Sequence, residues 1–147
     1  NIDLKGKIIV VLGQGDLVGK PTSTLLRYRG LTFLPVDKRT ENKEYLLKQA
    51  DIVISGIGKG KYIKGNMIKD GAILIDAGTS EDVKNPLNEQ GLPLLKDTRT
   101  IVGDVDFESV KNVAGYVSPV PGGVGPVTVA MLLNNVLKVA KHKSVGK

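Results

Sequence analysis

Gly13, Gly15 and Gly19 stand at a fixed spacing in the run Gly13-Gln14-Gly15-Asp16-Leu17-Val18-Gly19, between an apolar stretch at residues 7–12 and a segment that reads as a helix. In that setting each glycine has its own task. Gly13 permits a tight turn, Gly15 leaves room for a pyrophosphate against the backbone, and Gly19 lets the helix pack closely on the strand. The free amides and positive dipole end of the helix, near Val18, would then face the phosphates. Glycine also marks ordinary surface turns, so the spacing gains its weight from its place between strand and helix. Asp16 counts against the reading, because a carboxylate repels a pyrophosphate unless it points to solvent or caps the helix.

Asp37 lies 24 residues after Gly13, at the end of a second apolar run. An acidic residue there can accept a hydrogen bond from an adenosine ribose 2′-hydroxyl, which favours NAD. Lys38, Arg39 and Thr40 follow at once and could instead hold the 2′-phosphate of NADP. A third reading is a solvated loop closed by Thr40. A second glycine-rich stretch, Pro119-Val120-Pro121-Gly122-Gly123-Val124-Gly125-Pro126, combines stiff proline backbone with bare glycines. Such a loop lets a flat ligand approach closely, or simply makes a tight surface turn.

These loops need a scaffold, and the pattern supplies one. Runs rich in Val and Ile recur at residues 7–12, 32–36, 51–55, 72–76, 100–102 and 115–118, as buried parallel strands do. Residues 18–28, 44–50, 107–113 and 124–141 read as helices, the first with Pro21 near its start and Gly30 past its end. Residues 79–98, holding Asn85-Pro86, Gly91 and Pro93 without a clear period, read as a long loop. The expectation is a single α/β domain over residues 1–147, a doubly wound, mostly parallel, Rossmann-like sheet with helices on both faces. Ligands of such sheets sit at the carboxyl ends of the strands, where the glycine loops fall.

Composition narrows the chemistry. The chain has no Cys, which excludes disulfides and thiolate metal sites, and its one His, His142, leaves little for an imidazole cluster, so no metal is expected. A net charge of +6 favours anionic partners such as nucleotide phosphates. The cations are scattered, apart from the tail Lys138, Lys141, Lys143 and Lys147, and four Tyr and two Phe give little for base stacking, which disfavours nucleic acid. No apolar window approaches the ~20 residues of a membrane span and residues 1–6 do not resemble a signal peptide, so a cytoplasmic location is expected. The first residue is Asn1 rather than Met, which suggests a fragment.

In their order, Ile2-Asp3-Leu4-Lys5-Gly6-Lys7, the turn from Gly13 to Pro21, Lys38-Arg39-Thr40, Ala50-Asp51-Ile52-Val53, the stretch from Gly71 to Gly78, Val102-Gly103-Asp104-Val105-Asp106-Phe107 and the loop from Pro119 to Pro126 resemble methylenetetrahydrofolate dehydrogenase/cyclohydrolase over nearly the whole chain. The resemblance implies the NAD(P)-binding half of a two-domain enzyme that oxidises 5,10-methylenetetrahydrofolate and often hydrolyses the methenyl product. It implies Gly13, Gln14, Gly15 and Thr40 at the phosphates and adenosine, Gly56 and Gly58 at the ribose and nicotinamide, and Gly78 and Thr79 at the carboxamide. Pro121, Gly122, Gly123, Val124, Gly125 and Thr128 would border the folate. It places no catalytic residue in this chain: the family's catalytic Lys, its Tyr and a pterin-orienting Asp belong to an amino-terminal domain, toward which residues 136–147 would return. A homodimer is also implied. Four positions depart from the family: Gln14 and Gly15 replace a usual Arg-Ser, and Asp37 and Lys38 a usual His-Ser, so NADP and NAD both stay open. Two other readings compete, a different NAD(P)-dependent dehydrogenase of shikimate type, and a non-catalytic binding module of the same fold.

Overall fold

The computed structural model describes residues 2–84 and 98–144. Among the described residues seven strands and four helices run in the order β1 (Ile9–Leu12), α1 (Gly19–Tyr28), β2 (Phe33–Val36), α2 (Lys43–Gln49), β3 (Ile52–Ser55), a 3₁₀ turn (Gly65–Met67), β4 (Ile73–Asp76), β5 (Ser80–Lys84), β6 (Thr98–Val102), α3 (Phe107–Val110), β7 (Tyr116–Val117) and α4 (Val124–Ser144). Five strands form one sheet in the order β2-β1-β3-β4-β7, every neighbouring pair parallel. The chain leaves β1 toward β2 and then crosses back over β1 to β3. That reversal makes the carboxyl ends of β1 and β3 the switch point at which such sheets bind ligands.

Strand alternation sorts the apolar residues onto two faces. Val10, Leu12, Val36, Val53 and Leu74 share one face and pack with Leu47 of α2, Ala50, Met67, Ile68 and Val110 of α3 in a continuous core. Ile9, Val11 and Ile52 point to the other face and are also buried. There α1 packs on β1 and β2, with the Arg27 guanidinium over the Phe33 ring. Farther along that face Ile75 of β4 and Tyr116 of β7 are exposed. The carboxylate of Asp51 ties the amino ends together, accepting from the Ile8 amide at 2.9 Å and from Lys69 Nζ at 2.7 Å.

Four sequence expectations need correction. Residues 79–98 are not one loop: β5 runs from Ser80 to Lys84 and pairs antiparallel with β6, while residues 85–97 lie outside the described residues. For the same reason residues 100–102 belong to this separate two-stranded ribbon and not to the parallel sheet. The ribbon is covered only in part, with Glu81, Arg99, Thr100 and Ile101 exposed, and Ser80-Glu81-Asp82 and Thr98-Arg99-Thr100 carry no apolar period to betray a strand. The helix at 107–113 is one turn, Phe107–Val110, whereas the last helix extends to Ser144.

That last helix is exposed along the described residues of its length. Leu132, Leu133, Val136 and Leu137 are 63%, 66%, 60% and 53% exposed, although a helix with such residues ordinarily buries a face.

Candidate functional site

The turn after β1 is built by close approach. Gly13, at φ 96°, takes a left-handed conformation that only glycine adopts freely. A methyl group on it would lie 2.7 Å from the carbonyl oxygen of Gly56, the first residue after β3. A methyl group on Gly19 would overlap the carbonyl oxygen of Gly13, and one on Gly56 would meet the Val18 side chain at 2.6 Å. Gly13, Val18, Gly19 and Gly56 thus interlock across the switch point. Gly15 is different: it is exposed and its Cβ direction is open.

Among the described residues, the amides of Gln14, Gly15 and Asp16 donate to no protein acceptor, and Pro21 removes one further donor from the first turn of α1. The Gln14 side chain turns inward, Nε2 donating to the Val11 carbonyl at 3.1 Å and Oε1 accepting from Ser23 Oγ at 3.2 Å. Asp16 points to solvent and pairs with Lys20 at 2.6 Å, one helical turn on. The hydrogen bond from Lys20, then its charge, hold the Asp16 carboxyl below its ordinary range. The objection raised by Asp16 is thereby met.

Around this turn a concavity of about 670 Å³ is lined by Gly13, Gln14, Gly15, Lys20, Asp37, Lys38, Arg39, Gly56 and Ile57. It gathers the carboxyl ends of β1, β2 and β3. Thr40 and Gly58 lie outside its lining, Gly58 with open space around it and Thr40 closing the Asp37 loop through its hydroxyl. A second concavity of about 660 Å³ lies beyond β4, lined by Val18, Asp76, Gly78, Thr79, Ile101, Thr128 and the whole stretch from Pro119 to Pro126, with Val120-Pro121 in cis. Gly122 (φ 104°) and Gly125 are bare toward open space, while a methyl on Gly123 would overlap the Pro119 carbonyl. The Thr128 hydroxyl donates back to the Val124 carbonyl at 3.0 Å. A concavity of about 690 Å³ at the opposite, amino-terminal strand ends is lined by residues 3–9 and 30–34 and gathers none of these loops.

Two buried carboxylates hold the floor between the concavities, and the sequence reading passed over both. Asp104 is fully buried; its Oδ2 accepts from Ser55 Oγ at 2.7 Å and the Ile57 amide at 2.8 Å, and its Oδ1 from the Lys59 amide at 2.8 Å. Asp76 accepts from the amides of Gly78 (2.9 Å), Asp104 (3.1 Å) and Val105 (2.8 Å). Burial pushes the Asp76 carboxyl up, and those amides act in the opposite direction. A methyl on Gly78 would run into the Asp104 carboxylate, so this glycine is required by the floor beneath it. The available signal was an acidic residue inside the apolar run Ile101-Val102-Gly103-Asp104-Val105, a place where burial demands partners.

The site is thus a two-part groove along the carboxyl edge, with free amides and cations at one end and bare, stiff backbone at the other. Its loops match a known family: residues 1–144 fit the sequence profile of the tetrahydrofolate dehydrogenase/cyclohydrolase NAD(P)-binding domain. The chain belongs to that family. As a tetrahydrofolate dehydrogenase/cyclohydrolase NAD(P)-binding domain it is 43% identical over 137 residues to the bifunctional protein FolD of Caldicellulosiruptor saccharolyticus, covering 93% of this chain and 44% of that protein. It is 45% identical over 141 residues to bifunctional protein FolD 2 of Arabidopsis thaliana, covering 96% and 44%. The Trypanosoma brucei methylenetetrahydrofolate dehydrogenase-cyclohydrolase, solved in complex with NADP cofactor and an inhibitor, superposes with a TM-score of 0.82 at 39% identity, over 99% of this chain and 47% of that one. The chain therefore spans a little under half the length of the relatives it matches. Membership sets aside the shikimate-type alternative.

Proposed function

We propose that this domain binds a nicotinamide dinucleotide along the groove and, as part of a longer enzyme, serves the dehydrogenase and cyclohydrolase reactions on a methylene-bridged tetrahydrofolate. One observation carries the proposal: the turns after β1, β2 and β3 converge on one concavity whose floor offers unengaged amides at the start of a helix. The fit is chemical as well as spatial. Gly15 leaves the backbone open to a pyrophosphate, Asp37, Lys38 and Arg39 stand at the adenosine end, and Gly56 in the first concavity and Gly78 and Thr79 in the second continue the groove. When bound, the nicotinamide supplies a hydride acceptor. The domain's own residues bind, orient and exclude water, with Pro121, Gly122, Gly123, Val124, Gly125 and Thr128 forming the wall toward the folate.

Acid/base groups belong to the other part of the enzyme in this reading. Among the residues lining the second concavity Asp76 is the one ionisable side chain, and it is buried and occupied by three amides. The uncovered apolar surface of α4 is where that other part packs. A cytoplasmic homodimer fits the reading; no helix among the described residues is long and apolar enough to cross a membrane. The test is calorimetric titration with each dinucleotide at fixed moderate salt, with competition by the other. Saturable, mutually competitive binding is expected. Heat that disappears with added salt and shows no competition points to the non-catalytic module instead.

A further inference from the structure

We propose that Asp37 makes this domain select NAD over NADP. The inference rests on the dinucleotide reading above and says which dinucleotide the groove takes. Asp37 follows β2 directly and is clamped: its Oδ1 accepts from the Arg39 amide at 2.8 Å, the Thr40 amide at 3.1 Å and the Thr40 hydroxyl at 3.2 Å, while its own amide donates to Thr40 Oγ1 at 3.0 Å. These four bonds fix the carboxylate relative to the end of β2. Its second oxygen, Oδ2, accepts no hydrogen bond among the described residues, and the residue lines the adenosine end of the groove.

A ribose 2′-hydroxyl can donate to that free, charged acceptor. A 2′-phosphate offers the same place negative charge and, when fully ionised, no donor. The cations nearby do not reverse the balance. Lys20 is engaged by Asp16 at 2.6 Å, and Gln14 is neutral and folded inward onto Val11 and Ser23. Lys38 and Arg39 are exposed, and among the described residues no hydrogen bond holds either charged head. Arg39 already acts on Asp37, its amide first and its charge last among the influences on that carboxyl, which lies below its ordinary range and is ionised at neutral pH. A clamped anion therefore faces the 2′ position, while two solvated side chains would lose freedom in order to oppose it.

The experiment is equilibrium titration of the chain with NAD and with NADP at two salt concentrations, for the wild type and Asp37→Asn. Asparagine keeps a carbonyl oxygen for the Arg39 and Thr40 amides and removes the charge. The wild type is expected to bind NAD at least about tenfold more tightly than NADP at moderate salt. Asp37→Asn is expected to bring the two within about threefold of each other, chiefly by tightening NADP. Equal or tighter wild-type binding of NADP overturns the selection while leaving the dinucleotide reading intact. So does an Asp37→Asn variant that folds and keeps the wild-type ratio. If a folded wild type binds neither, both readings fall. Should that variant not fold, Asp37→Ser, which keeps a hydrogen-bonding side chain and removes the charge, is expected to narrow the ratio in the same way, and a folded Asp37→Ser with the wild-type ratio overturns the role of Asp37.

Discussion

Glycine serves two physically separate purposes in the turn after β1, and the difference can be measured residue by residue. Gly19 is needed because the first turn of α1 sits against the Gly13 carbonyl, and Gly56 because Val18 occupies the space where its side chain would be. Gly15 has no neighbour in its Cβ direction and no left-handed backbone, so the fold does not require it. Gly19→Ala should therefore destabilise the chain by about 3 kcal/mol in chemical denaturation, since the overlap is with backbone that cannot swing aside. Gly15→Ala should change stability by no more than about 0.5 kcal/mol. Because Ser is the family's usual residue at this position, dinucleotide binding should also stay within about threefold of the wild type. A loss of binding of about tenfold in Gly15→Ala with stability unchanged would show instead that the proposed pyrophosphate needs the bare backbone of Gly15.

At the scale of elements, what could be read from the sequence depended on whether an element buries a face. β1, β3 and β4 announce themselves as Ile9-Val10-Val11-Leu12, Ile52-Val53-Ile54-Ser55 and Ile73-Leu74-Ile75-Asp76, continuous apolar runs of the kind parallel strands carry, although β4 leaves Ile75 exposed on one face. β5 was invisible for the opposite reason, and β6 showed only as residues 100–102, read into the wrong sheet. The turn glycines were legible because their spacing is tied to a strand and a helix on either side. Asp104 was not, because its three donors come from residues 55, 57 and 59, which only the fold brings to it. α4 is the informative exception: its apolar residues promise burial, and the described residues give it none. An isolated helix gains little from hydrogen bonding alone, so α4 lacks the packing that protects the sheet. In native-state hydrogen exchange, amides of α4 near Leu132–Leu137 should exchange at least about a hundredfold faster than those of Val10, Val11 and Val53. Equal protection would show that α4 packs on something in solution, a second copy of the chain being the nearest candidate.

The whole molecule has a groove that can hold and orient but little in it that can move a proton. The second concavity is walled by proline, glycine and apolar side chains, and its one ionisable lining residue, Asp76, is committed to the amides of Gly78, Asp104 and Val105. General acid/base help in a cyclohydrolase step is worth roughly 10² to 10⁴ in rate, and correct placement of the second reactant more again. The chain should accordingly bind its dinucleotide yet hydrolyse methenyltetrahydrofolate at least about a thousandfold more slowly than a full-length relative, followed by the loss of the methenyl absorbance. Supplying the amino-terminal part of a relative in trans should recover part of that loss. It should also slow exchange in α4, because in the proposed assembly the helix and the acid/base groups arrive at the same interface. Recovery of turnover without protection of α4 would separate the two, placing the partner on the open wall at Gly122 and Gly125 and leaving the helix for another contact.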